Sequence, residues 1–140
     1  MKTYLQLGFT IPDNEWLTAN GRYGHHHMPS ASRTRALRER ATYTCQLALR
    51  SGTLQPLKYV SLLIAAIGYP TASRADPTNA APTVKALIDG CTSAGLWKDD
   101  NSDVLPLIAF GRAKTKAPKH THLVTLYFTD YEIEYERKPE

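Results

Sequence analysis

The chain has 140 residues, enough for one domain with a real core. Its 17 Lys and Arg against 13 Asp and Glu leave a net charge of +4, which permits a polyanionic partner without demanding one. The most apolar run, Val60 to Ile67, is too short to span a bilayer, and the opening MKTYLQLGF lacks the apolar stretch of a signal peptide, so the expectation is a soluble cytoplasmic protein with no membrane partner.

Thr3 to Thr10 alternate loosely and predict a first strand, broken by Pro12, Asp13 and Asn14. Trp16 to Pro29 reads as a polar loop. His25, His26 and His27 lie there in a row, and adjacent residues point different ways, so a solvated or DNA-facing loop suits them better than a metal ligand set. Ser30 or Ser32 is placed to cap a helix from about Arg33 to Arg50, with Leu37, Ala41, Thr44, Cys45 and Ala48 on its buried side. Arg33, Arg35, Arg38, Arg40 and Arg50 crowd the remainder. On charge alone they are equally a solvated face or a phosphate-contacting one, since arginine suits bidentate phosphate contacts. Cys45 and Cys91 both fall in apolar helical patterns, where buried, reduced thiols are expected. After Pro56 a near-continuous apolar run from Leu57 to Gly68 predicts a strand buried on both faces.

That strand leads into the stretch around which the chain is organised, Pro70 to Val104. Val84, Leu87, Ile88, Cys91 and Ala94 form one apolar stripe at helical period. Pro82 fits the first turn, Asn79 or Thr83 is placed to cap it, and Gly95 supplies the left-handed stop. Lys85 and Asp89 share a neighbouring face. Asp76 and Asn79 stand before this helix, and Asp99 and Asp100 after it. Hard divalent cations take oxygen ligands, so carboxylates on both flanks are one way to build a magnesium site. A helix of about thirteen residues separates its ends by about 20 Å. Asp76 and Asp100 therefore meet only if Leu96 to Asp100 runs back along it, or if a second subunit brings them together.

Val104 to Arg112 reads as a strand interrupted by Pro106, hence an edge or a bulge. Beyond it lies a basic turn from Ala113 to His122, holding Lys114, Lys116, Lys119 and His120. Leu123 to Thr129 is the last clear strand, with Val124, Leu126 and Phe128 on one face. The tail DYEIEYERKPE prolongs the sheet or packs on a partner. The expectation is one α+β domain spanning 1–140: a small mixed β-sheet with two main helices, in the order β-α-β-α-β-β.

The ordered set Asp76, Thr78, Asn79, then Lys85 and Asp89, then Ala94-Gly95 and Asp99-Asp100, resembles the RusA family of Holliday junction resolvases. That family carries a D-x-D-N segment after a strand, a helix with a lysine and an aspartate, then A-G, two variable residues and a D-D pair. Asn20, Gly21, Arg22 and Tyr23 are similar to its asparagine-arginine-tyrosine turn. Two features depart from the pattern: Thr78 stands where the family has a second aspartate, and extra residues, Ala-Ala-Pro among them, precede Lys85. The resemblance implies a RusA-like, magnesium-dependent endonuclease, with manganese as a substitute, that resolves four-way junctions and other branched DNA in recombination, repair or phage DNA processing. It implies that Asp76 and Asp100 hold the metal with help from Asp99. Lys85 would stabilise charge on the scissile phosphate, and Arg22, Arg35, Arg38, Lys114 and Lys116 would contact DNA phosphates. It also implies a homodimer, often of phage or prophage type. The alternative is a branched-DNA-binding protein without nuclease activity, its metal site weakened by Thr78.

Overall fold

Three inward residues, Leu7, Phe9 and Ile11, set the face of the first strand, β1 (Leu5–Pro12), that enters the core. The structure, a computed structural model, describes residues 4–20 and 30–131. Expectations for Arg22, for the three histidines and for the tail from Glu132 onward fall outside these residues. The remaining elements are α1 (Ser30–Arg50), β2 (Leu62–Gly68), a short 3-10 helix (Pro77–Ala80), α2 (Ala81–Ala94), β3 (Ile108–Arg112) and β4 (Thr121–Thr129). They make the α+β arrangement expected, a four-stranded mixed sheet in the order β1-β4-β2-β3. β4 runs antiparallel to both neighbours, while β2 and β3 are parallel and α2 lies in the crossover between them. No helix among the described residues is long and apolar enough to cross a membrane.

The strand from Leu57 is corrected in length and in burial. β2 begins at Leu62, because Leu57 instead bridges Trp97, and Val60 and Ser61 donate to the carbonyls of Val104 and Thr129. Leu63, Ala65 and Ile67 are buried while Leu62, Ile64 and Ala66 are half-buried. Both helices pack on the inward face, where Leu37, Ala41 and Cys45 of α1 and Val84, Leu87 and Ile88 of α2 join one cluster with those strand residues. Each leucine, isoleucine or valine among them contributes about 1.5–3 kcal/mol on burial. The strand expected from Val104 starts only at Ile108, beyond Pro106, and lies at the sheet edge, one of the two placements expected.

Two other expectations change. Arg33 is not part of a cationic surface: it is 5 % exposed, and its guanidinium donates to the carbonyls of Asp13 and Trp16, both at 2.9 Å. Arg40 is likewise committed, with a bidentate pair to Glu15 at 2.9 and 2.7 Å. The segment after β1 is therefore clamped onto α1, and Leu17 within it is buried. Neither Asn79 nor Thr83 caps α2, whose N-cap Ala80 makes no side-chain bond. The Thr83 hydroxyl is buried instead, donating to the carbonyl of Leu17 at 2.8 Å and accepting its N–H at 2.9 Å. Gly95 closes α2 in the left-handed conformation, φ 90°, as expected. Cys45 and Cys91 are free and buried.

Candidate active site

Gly95 reverses the chain, and the returning segment is anchored twice. Leu57 donates its N–H to the carbonyl of Leu96 at 2.7 Å, and buried Trp97 donates Nε1–H to the hydroxyl of Thr92 at 2.7 Å while its ring meets Phe128 edge-on. The Asp99 carboxylate then accepts the Asp100 N–H at 2.7 Å and the Asn101 amide at 3.2 Å, which sets the corner. The return carries Asp100 back to the level of Lys85. Lys85 Nζ donates to Asp100 Oδ2 at 2.6 Å and to Asp89 Oδ1 at 3.0 Å, and from α1 Arg38 Nη2 stands 3.7 Å from Asp89 Oδ2. A hydrogen bond with Asp89, and after it that from Lys85, holds the Asp100 carboxyl down to about 2, so it is ionised at neutral pH. Asp89 is shifted the other way, first by burial and then by the hydrogen bond it shares with Asp100. Asp100 and then Asp89 raise the Lys85 ammonium.

Asp76 belongs to a different set of contacts. Its carboxylate caps the 3-10 helix, accepting the Thr78 N–H at 3.0 Å, and the Asn79 carbonyl accepts the Ala19 N–H at 2.8 Å. Asp76 and Asn79 line a cavity of about 440 Å³ together with Trp16, Tyr69 and His122. The Trp16 and His122 rings stack at 4.0 Å and 5°, with Tyr69 set edge-on to His122 at 5.5 Å. A second groove of about 220 Å³ shares Tyr69 and Thr71 with the cavity and is otherwise lined by the segment from Arg112 to Lys116 and by Ala72. Arg112 lies over the Tyr69 ring at 4.4 Å. Burial pushes the Tyr69 hydroxyl up, with Arg112 opposing and Asp76 adding to the shift.

Lys85, Asp89, Asp99 and Asp100 are thus brought to one corner, where Arg38 reaches them. Asp76, Thr78 and Asn79 gather at the cavity, and Lys114 and Lys116 at the groove beside it. Arg35 is exposed on α1. Among the described residues no three His, Cys, Asp or Glu side chains form a group able to hold a metal ion. Sequence reasoning does not single out Arg112, Tyr69, Trp16 and His122. Their only signal is the aromatic and basic residue types, because their assembly draws on separate strand ends.

His122 gives a pH-dependent stability. Its Nδ1 is buried and has no hydrogen-bond partner among the described residues, and burial lowers its pKa from 6.5, with Asp13, 3.7 Å away, opposing. The unfolded chain therefore takes up this proton first, so the contribution is complete above about pH 6.5 and is lost as pH falls through that value toward the folded pKa. Thermal melts between pH 7.5 and 5.5 are expected to show a fall that shrinks in His122→Gln. An unchanged pH slope in that variant would clear His122 of this role.

No family model matches the chain, and the search of curated proteins found no match.

Proposed function

We propose that the protein is a magnesium-dependent endonuclease of the RusA kind that cuts branched DNA, four-way junctions in particular. The single observation that carries this reading is the contact of Lys85 with Asp100, fifteen residues apart, beside Asp99. It joins the lysine and the aspartate pair of the motif in one exposed corner. Their chemistry suits the metal: Asp100 and Asp89 offer ionisable oxygen donors and already share one positive charge, the Lys85 ammonium. Asp100, with Asp99 adjoining, would offer magnesium its oxygen ligands in this corner; the resemblance assigns the metal to Asp76 as well, which stands at the cavity and not among these contacts. The ion would supply polarisation of a phosphoryl oxygen and acidification of a water. Lys85 would then neutralise charge developing on the phosphate. Arg35, Arg38, Lys114 and Lys116 would bind backbone phosphates and position the DNA without reading its sequence.

A junction is roughly two-fold symmetric, which suits a homodimer. The surface we assign to the second copy is the sheet face away from the helices, where Leu62, Ile64, Ala66, Ala109, Leu123 and Tyr127 point outward. None of the outward strand positions is charged, so two copies of this +4 chain can meet there without repulsion. A monomer mass at sedimentation equilibrium would remove this assignment. The buried free thiols suit a reducing cytoplasm.

The test is incubation of purified protein with a labelled four-way junction. Cleavage is expected with magnesium or manganese and none in chelator. The second reading, a branched-DNA binder without nuclease activity, is favoured by Thr78, whose side chain is an uncharged hydroxyl where the family pattern has a second carboxylate. Tight junction binding with no nicking under any divalent ion would establish that reading instead.

A further inference from the structure

We infer that the cavity beside Asp76 and the cationic groove sharing its Tyr69–Thr71 wall together hold one unpaired nucleotide of the DNA strand, its base in the cavity and its phosphate in the groove. This rests on the reading of branched DNA as substrate and names the part of it that this surface recognises. The two compartments have opposite chemistry. The cavity, about 440 Å³, carries the carboxylates of Asp13 and Asp76 and, among the described residues, no Lys or Arg. The groove, about 220 Å³, carries Arg112, Lys114 and Lys116 and, among the described residues, no carboxylate. An anion is repelled by the first and held by the second, so a guest spanning both is neutral at one end and anionic at the other.

The walls narrow the neutral end further. Trp16, Tyr69 and His122 offer ring surface, and the side chains of Thr18, Asn20 and Asn79 offer hydroxyl and amide groups at the same cavity. A flat heterocycle with a hydrogen-bonding edge uses both, and its volume fits a site of this size. Arg112 is the hinge between the compartments: its guanidinium covers Tyr69 at 4.4 Å and donates to the Thr71 carbonyl at 3.4 Å. A base stacked in a duplex cannot enter, whereas one freed at a branch point can, at little unpairing cost. The strand so held passes Asp76, which lines the same cavity.

Trp16 reports on the cavity, because the other tryptophan, Trp97, is 2 % exposed in the core. The full chain, in chelator so that nothing is cut, is titrated with hexathymidylate and with an abasic hexamer of the same charge, monitoring tryptophan emission. Hexathymidylate is expected to quench and to bind about tenfold more tightly than the abasic strand. The quench should vanish in Trp16→Phe. Arg112→Ala should weaken both strands about fivefold, and Lys119→Ala, outside the groove, less than twofold. Equal affinity for the two strands, or no quench in the wild type, overturns the proposal. So does a quench produced by a phosphotyrosyl peptide and not by hexathymidylate, which would make the guest a protein. Junction cleavage without base-dependent quenching would leave the nuclease standing and sink only this site. Base-dependent quenching by a chain that never cuts would do the reverse.

Discussion

Lys85→Ala is expected to slow junction cleavage by about 100- to 1,000-fold while leaving affinity for the uncut junction within about twofold. The side chain is 64 % exposed, so its removal costs the fold little. Its effect is local: without the ammonium, Asp89 and Asp100 lose the cation they share, and Arg38, 3.7 Å from Asp89, is the charge left beside them. Asp100→Asn should lose cleavage to a similar degree, since it removes the carboxylate held ionised in this corner. Single-turnover rates and binding isotherms on the same junction separate the two effects. Equal losses in rate and affinity would make Lys85 a phosphate-binding residue only.

Gly90→Ala is expected to destabilise the protein by about 1–3 kcal/mol, although alanine is the better helix former by about 1 kcal/mol. A Cβ at this position would lie 2.5 Å from the Arg38 carbonyl oxygen, 2.6 Å from Ala41 Cβ and 3.0 Å from the Thr42 nitrogen. All three atoms are backbone or a methyl, so no rotamer change relieves the clash and the helices must part. Parting them also breaks the bond from the Thr42 hydroxyl to the Gly90 carbonyl and draws Arg38 away from Asp89. Thermal melts check this against Gly111→Ala, where nothing lies within 4 Å of the added methyl and little change is expected. Equal melting temperatures for the two variants would refute the close approach.

Legible and hidden features of this chain divide along one physical line. α2 is readable because a single stripe, Val84 to Cys91, buries one face, and because Pro82 and Gly95 act on their own backbone. The Lys85–Asp100 corner comes from local spacing once the chain turns at Gly95. Arg33 misleads because a guanidinium is a surface group unless carbonyls are supplied, and those come from Asp13 and Trp16, on a distant segment. Thr83 resembles a cap because its true partner, Leu17, is 66 residues away. The apolar run from Leu57 hides a one-sided strand, because periodicity cannot tell which apolar residues a neighbouring layer covers. The cavity at Asp76 is invisible for the same reason, its walls arriving from the ends of β1, β2 and β4 separately.

The strand order has a consequence for how the protein is made. β4 sits between β1 and β2, yet it is the last of the four to leave the ribosome. Until residues 121–129 emerge, β1 has no edge to pair with, and β2 has only β3 on one side. The two helices can associate during synthesis, but the layer beneath them closes only once residues 121–129 have emerged, through contacts of long sequence separation. A polypeptide cut short before Thr121 would expose Leu7, Phe9 and Ile11 to whatever other chains are nearby, so premature termination yields aggregation-prone material rather than a smaller working protein.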